Sequence, residues 1–257
     1  MKQMKVKENL TDVIWDKVLA LFLIIAAFIT VAPFIYVIAG SFSTEKELTE
    51  RAFFLIPHTI SFNAYKYIVQ TGEIFRGLKN SIILTIIGTF SSLFFTSTFA
   101  YPLSKVHFKG RNLILNLVIV TMLFSGGLIP TFLVVKHLGL YNHFAALILL
   151  GAISPFNMII MKGFFAGIPN ELEEAAIIDG YSDLGVFVKI FLPLSKPVLA
   201  SIGLFCAVGY WNDYFSAMIY LSDSYKETVQ IVLRRIVLLA SGGDQINNSL
   251  FDFDMFG

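Results

Sequence analysis

Five long apolar runs set the pattern of this chain, at residues 18–38, 81–101, 113–135, 144–161 and 198–221. A helix needs about 20 mostly apolar residues to cross a bilayer, so each run predicts one membrane span. Four of the five contain no Asp, Glu, Lys or Arg. That is the pattern of helices facing lipid or one another rather than an ion relay. Pro33, Pro130 and Pro155 are expected to kink their spans or mark their ends. The small residues at 88–92 and 125–127 allow neighbouring helices to approach closely. A further apolar stretch, residues 229–240, is only twelve residues long and is broken by Arg234-Arg235. It predicts a helix lying at the outer surface, and nothing in the closing run 250–257 is expected to span.

The polar segments give an orientation. With residues 1–17 inside, the short loop 102–112 is also inside and carries Lys105, Lys109 and Arg111, whereas the short loop 136–143 is outside with only Lys136. Short loops are the ones that obey the positive-inside rule. The longer segment 39–80 then reads as an ordered outer loop, and the insert 162–197 lies in the cytoplasm. Within that insert Asn170 is a plausible helix cap, with Glu173 at the capping-box position and acidic residues complementing the helix dipole. Asp179-Gly180 should end the helix in a left-handed turn. A second helix starts at Ser182, carries Phe187, Ile190 and Phe191 on one face, and is expected to end at Leu192-Pro193. Ala175 and Ala176 leave room for another protein's backbone, and Glu174 and Asp179 can meet cationic or amide groups. No nucleophile-base pair, metal-ligand cluster or phosphate loop accompanies them, so the insert reads as a docking element rather than a catalytic one. A plain polar loop with solvated carboxylates is the competing reading.

Composition adds limits. The 257 residues are 56% hydrophobic and 14% charged, with a mean hydropathy of +0.74, where soluble domains carry roughly 25% charged residues. A formal net charge of +1 offers no field for nucleic acid. The single cysteine, Cys206, excludes an internal disulfide and reads as a small buried hydrophobe. His58, His107, His137 and His143 are scattered over loops on both sides, which argues against a membrane-embedded enzyme. Asp213 is the one formal charge within a predicted span, and at about 1.5 Å per residue it lies roughly 22 Å beyond Val198. Trp211, Asn212, Asp213 and Tyr214 are therefore candidates for a translocation pathway. An interfacial aromatic belt is the alternative.

The segment Glu174-Ala175-Ala176, Asp179-Gly180, Phe187, Ile190, Leu192-Pro193 and Lys196-Pro197 resembles the EAA loop of permease subunits in binding-protein-dependent ABC importers. The resemblance continues, in order, through Asn80-Ser81, Tyr101-Pro102-Leu103-Ser104-Lys105, Phe108-Lys109-Gly110-Arg111, Leu138-Gly139-Leu140, Phe164-Phe165, Ile168-Pro169 and Trp211-Asn212-Asp213-Tyr214. It covers nearly the whole chain and is nearest the maltose-type branch that serves oligosaccharides and polysaccharides. Tyr181 departs from the alanine usual after the glycine. The resemblance implies an all-α, polytopic type I importer fold with six spans, of which five are predicted here, within residues 18–221. The sixth is expected to be missing from the tail 222–257.

It further implies a multi-pass protein of the bacterial cytoplasmic membrane that works with a second permease, two ATP-binding subunits and an extracytoplasmic sugar-binding lipoprotein. On that reading Glu174, Ala175, Ala176, Asp179, Gly180, Phe187, Leu192 and Pro193 dock on the ATPase. No cofactor is expected in this chain, and no Walker-type phosphate loop occurs in it, so ATP and Mg belong to the partner. An ion-coupled secondary carrier is the rival class, and it would predict ionisable residues inside the membrane or a repeated half.

Overall fold

The computed structural model describes residues 10–51 and 53–240. Lys2, Lys5 and Lys7 of the head and the run 250–257 lie outside the described residues. Among the described residues all regular structure is helical. The chain divides into two compact units, residues 1–71 and 72–257.

In the first unit, α1 (Leu10–Ser41) runs through Pro33 without interruption, so that proline neither ends nor splits the span. A proline removes a single intrahelical donor, a loss that a membrane helix can absorb by local adjustment. The large apolar side chains of α1 are exposed, as lipid-facing residues must be. The following loop folds back on the end of α1 and is ordered, as its mix of charges and aromatics predicts. It contains α2 (Glu45–Glu50) and α3 (Asn63–Thr71). Tyr36 stacks on Phe53 at 5.4 Å and Phe42 on Tyr65 at 5.3 Å. Glu47 is buried and accepts the His58 amide at 2.9 and 3.1 Å and Arg51 Nη1 at 3.0 Å. The His58 amide is the chief cause holding its carboxyl below the ordinary 4.5.

In the second unit, α4 (Glu73–Ser104) is the spine against which α7, α8, α12 and α14 pack. It begins eight residues before the predicted span. The third predicted span is not one helix. It is α5 (Arg111–Leu123) and α6 (Leu128–His137), bent by 116°. The break falls at Ser125-Gly126-Gly127, where Gly127 takes φ +84°, rather than at Pro130. These small residues therefore make a turn, whereas Gly88 and Ser92 do allow a close approach. The fourth span is α7 (Phe144–Leu150) and α8 (Pro155–Ala166), bent by 52°. Here Pro155 opens the second piece, and the Ser154 hydroxyl accepts the Asn157 amide at its cap.

The insert forms α9 (Asn170–Ile178), then α10 (Asp183–Val186), a π-helical turn Phe187–Phe191 and α11 (Leu192–Leu194) as one helical run. The run ends at Leu194, one residue past the expected Leu192-Pro193. The missing amide of Pro193 is taken up by the widened turn, in which the Leu192 amide donates to Phe187 O. The chain then bends by 79° into α12 (Lys196–Asn212). The fifth predicted span is thus α12 followed by α13 (Tyr214–Tyr220), broken at Asp213. Last comes α14 (Val229–Ala240). It packs on the first turns of α4: Val229 and Val232 are buried, the Val229 amide donates to Ser81 Oγ at 2.9 Å, and Arg235 pairs with Glu73 at 3.0 Å.

Two apolar clusters hold this unit. One gathers Ala100, Leu103, Met158, Met161, Phe165, Val198 and Ile202 around the end of α4. The other gathers Leu84, Leu147, Tyr210, Ala217 and Tyr220 near its start. Inside a bilayer lipid tails are as apolar as leucine, so close packing and interhelical hydrogen bonds hold such clusters together. Tyr210 shows both. A Cβ at Gly88 would meet its ring at 2.7 Å and one at Gly151 its hydroxyl oxygen at 2.6 Å, and that hydroxyl bonds Ile148 O at 3.0 Å and Ser92 Oγ at 3.2 Å. Ser92 in turn donates to Gly151 O at 2.8 Å. Two carbonyls freed at the α7–α8 break, Ile148 O and Gly151 O, are therefore satisfied from within the protein, as membrane depth demands.

Candidate functional site

The insert folds as a corner pinned to the cluster at the end of α4. Helix α9 ends as its sequence predicts: the Gly180 amide donates to Ile177 O and the Tyr181 amide to Ala176 O, both at 3.0 Å, with Gly180 at φ +85°. This paired bonding is the Schellman motif. No atom lies within 4 Å of a Cβ placed at Gly180, so glycine serves the backbone conformation there and not the space. The second helix is capped by Ser182, whose hydroxyl accepts the Gly185 amide at 3.3 Å. The start of α9 differs from expectation. Pro169 occupies the cap position with no side-chain bond, and Asn170 is already helical. Glu173 does not close a capping box; it forms an ion pair with Lys105.

The eight expected docking residues fall into two sets. Glu174, Ala175, Asp179, Gly180 and Pro193 are exposed and Leu192 is half-buried. Ala176 and Phe187 are 3% and 7% exposed and point into the chain's own core. There Phe187 packs against Tyr101 at 4.9 Å, and its service is to seat the corner. Glu174 lines a 400 Å³ cleft with Lys105, His107, Arg111, Asn170, Glu173 and Ile177. Tyr181 turns outward, with Lys189 Nζ 4.6 Å over its ring, so its bulk does not fill the corner.

The four candidate pathway residues are also divided. A 430 Å³ cavity opens between the two helix breaks, and Asn212 and Asp213 line it together with Ser154, Asn157, Cys206 and Ser216. Asp213 Oδ1 caps α13 by accepting the Ser216 amide at 3.0 Å. Trp211 and Tyr214 are not on this wall. Trp211 O accepts Gln230 Nε2 at 2.6 Å, and the Arg234 guanidinium lies 4.5 Å over the Tyr214 ring, so the Tyr214 ring and the Trp211 carbonyl both meet α14. The amide of Asn157, 3.6 Å from Cys206 Sγ, is the cavity residue that pattern reading missed. The Ser-Pro pair just before it, a helix-start signal inside an apolar run, was the available clue. Among the described residues no group of three or more His, Cys, Asp or Glu side chains is placed to hold a metal ion.

Comparison with known proteins bears on the same features. Residues 92–242 match the family described as binding-protein-dependent transport system inner membrane component. The chain is 56% identical over 226 residues to protein LplC of Bacillus subtilis (strain 168), covering 86% of this chain and 77% of that protein. It is 52% identical over 229 residues to the polygalacturonan/rhamnogalacturonan transport system permease protein YtcP of the same organism, covering 89% and 80%. Its fold is similar to a chain in the crystal structure of a bacterial ABC transporter involved in the import of the acidic polysaccharide alginate. That match has a TM-score of 0.85 at 34% identity and covers 96% of this chain and 89% of that one. A helical membrane chain with a capped polar corner, matched over most of its length, this protein belongs to the inner membrane components of binding-protein-dependent transport systems, the permeases of ABC importers.

Proposed function

We propose that the chain is one of two permeases in an ATP-driven importer that moves an oligosaccharide inward across the bacterial cytoplasmic membrane. The carbohydrate class is supported by relatives named for polygalacturonan and rhamnogalacturonan transport and for arabinooligosaccharide transport. The partners are a second permease, two ATP-binding subunits that hold ATP and Mg, and an extracytoplasmic sugar-binding lipoprotein. The N-terminus is cytoplasmic, on the argument from Lys105, Lys109 and Arg111 against Lys136 in the short loops. Asn212 and Asp213 offer hydrogen bonds to sugar hydroxyls from the cavity wall.

The observation that carries the reading is the corner itself. A left-handed glycine turn, seated on a packed aromatic core, presents Glu174, Ala175 and Asp179 outward on rigid backbone. Such a corner can follow a moving partner and pull its own core along, which is what a rocking transporter needs from its ATPase contact. Glu174→Lys removes an anionic contact, and Gly180→Pro forbids the left-handed φ. Each is expected to abolish co-purification of the ATPase subunits or to leave ATP hydrolysis uncoupled from uptake. Normal assembly and coupling in both variants would refute the docking role. An ion-coupled carrier finds no support: it would need ionisable residues inside the membrane, and Asp213 is the one charge within a predicted span.

A further inference from the structure

Lys105 ends α4, the helix on which the spans of this unit pack. Its ammonium lies 3.9 Å over the Phe191 ring and 4.7 Å over the Tyr101 ring and forms an ion pair with Glu173 of α9. Both side chains of the pair are largely shielded, at 23% and 21% exposure. Charges so placed interact more strongly than surface pairs, and a cation over two aromatic faces gains further when desolvated. Phe191, the floor of this cage, is itself 2% exposed and edges against Phe165 of α8 at 5.9 Å. The Tyr101 hydroxyl closes the cage by donating to Asp183 O of α10 at 3.4 Å. One lysine thus ties the spine helix to both arms of the corner.

We propose that Lys105 and Glu173 are the positioning pair that transmits movement of the docked corner to the spans. This rests on the docking reading above and divides the adjacent glutamates: both line one cleft, but Glu174 is exposed and open to the ATPase, while Glu173 is paired with Lys105 at the end of the permease's own α4. Neighbouring residues on a helix point about 100° apart, so the two duties fall to neighbours without conflict. The charged pair fixes one register between α9 and the end of α4.

The test uses the complete importer, purified with its ATPase subunits and returned to lipid vesicles. Cys206, the chain's only cysteine, lines the cavity on α12 and reports on the spans without any sugar. Its labelling by a small charged maleimide, read by mass spectrometry with and without MgATP, is compared with the ATP hydrolysis rate. Glu173→Gln and Lys105→Gln are expected to keep the ATPases bound while the nucleotide-dependent change in labelling shrinks about tenfold, within the range of ordinary coupling energies. The double variant is expected to be no worse than either single one, since the two act as a unit, and Lys105→Arg to restore the response. A merely structural role would not give retained ATPase binding with a lost response.

A wild-type response in both single variants overturns the proposal, as do additive effects in the double variant, loss of assembly in both, or no nucleotide response in the wild type. Failure of the wild-type chain to hold the ATPases would instead remove the docking reading and the pair with it. A preserved response in a fully assembled variant removes the pair alone.

Discussion

The ring of Tyr210 is held between two glycines, and the consequence is measurable. An alanine Cβ at position 88 would lie 2.7 Å from Cε2 and Cζ of Tyr210, and one at position 151 would lie 2.6 Å from Oη and 2.9 Å from Cζ. Carbon atoms rest about 3.5–4.0 Å apart, so each substitution overlaps the ring by about 1 Å. The ring cannot step aside, because its hydroxyl is bonded to Ile148 O and Ser92 Oγ and the opposite glycine blocks the other direction. Overpacking of this kind costs about 1–3 kcal/mol, and a site closed on both sides belongs at the upper end. Within α4, alanine regains up to about 1 kcal/mol over glycine in helix propensity, leaving about 2 kcal/mol net for Gly88→Ala. Gly151 sits at a helix end and has no such return. Gly163, inside α8 and with nothing within 4 Å, is the control, and Gly163→Ala is expected to be neutral or slightly stabilising. Pulse proteolysis of the purified importer across a denaturant series, blotted for this chain, measures the differences. The contacts also predict a rescue pattern. Tyr210→Phe removes the atom nearest Gly151 and should recover part of Gly151→Ala, but it leaves the ring carbons that oppose Gly88 and, by untethering the ring alone, should help Gly88→Ala less. Equal stability of Gly88→Ala and Gly163→Ala, or equal rescue at both sites, would refute the reasoning.

The other expectations concern single contacts. Ser81→Ala leaves the buried Val229 amide without its acceptor and is expected to cost about 1–3 kcal/mol, seen as earlier proteolysis within α14 and little change elsewhere. Glu47 has a depressed carboxyl, so its contribution to the loop is complete above 4.5, the ordinary value, and is lost as the pH falls through the lower folded value. Hydrogen exchange at the His58 amide should accelerate over that acid window in the wild type, whereas in Glu47→Gln it should be fast and pH-independent apart from the intrinsic rate. Asp213→Asn keeps a side-chain oxygen for the Ser216 amide and should leave stability nearly unchanged, while Asp213→Ala loses a helix cap at about 1 kcal/mol. If Asp213 also contacts sugar, Asp213→Asn will slow uptake despite normal assembly; unaltered uptake would reduce it to a cap.

The two halves of the insert show why some of this was legible in advance. A glycine after the last helical residue, a serine before the next helix and the aromatic spacing of Phe187 and Phe191 are local signals, because caps and helix faces depend on neighbours within a turn or two. The π-helical turn at Phe187–Phe191 was not legible. It depends on how a proline's missing donor is absorbed while two phenylalanines stay in a core supplied by α4 and α8. Glu173 left the capping box for a similar reason: its partner, Lys105, is far away in sequence.

The apolar runs by themselves determined that the chain is helical, that it is built for a membrane, and that a polar corner stands between the fourth and fifth runs, since run length and charge exclusion follow from the solvent alone. Only the tertiary structure decided where those runs break, which carbonyls Ser92 and Tyr210 must satisfy, which of two adjacent glutamates faces inward, and that Asn212 and Asp213, but not Trp211 and Tyr214, line a cavity. Inside lipid, apolar character cannot distinguish one face of a helix from another. Close packing and a few interhelical hydrogen bonds make that choice, and they exist only once distant segments have met.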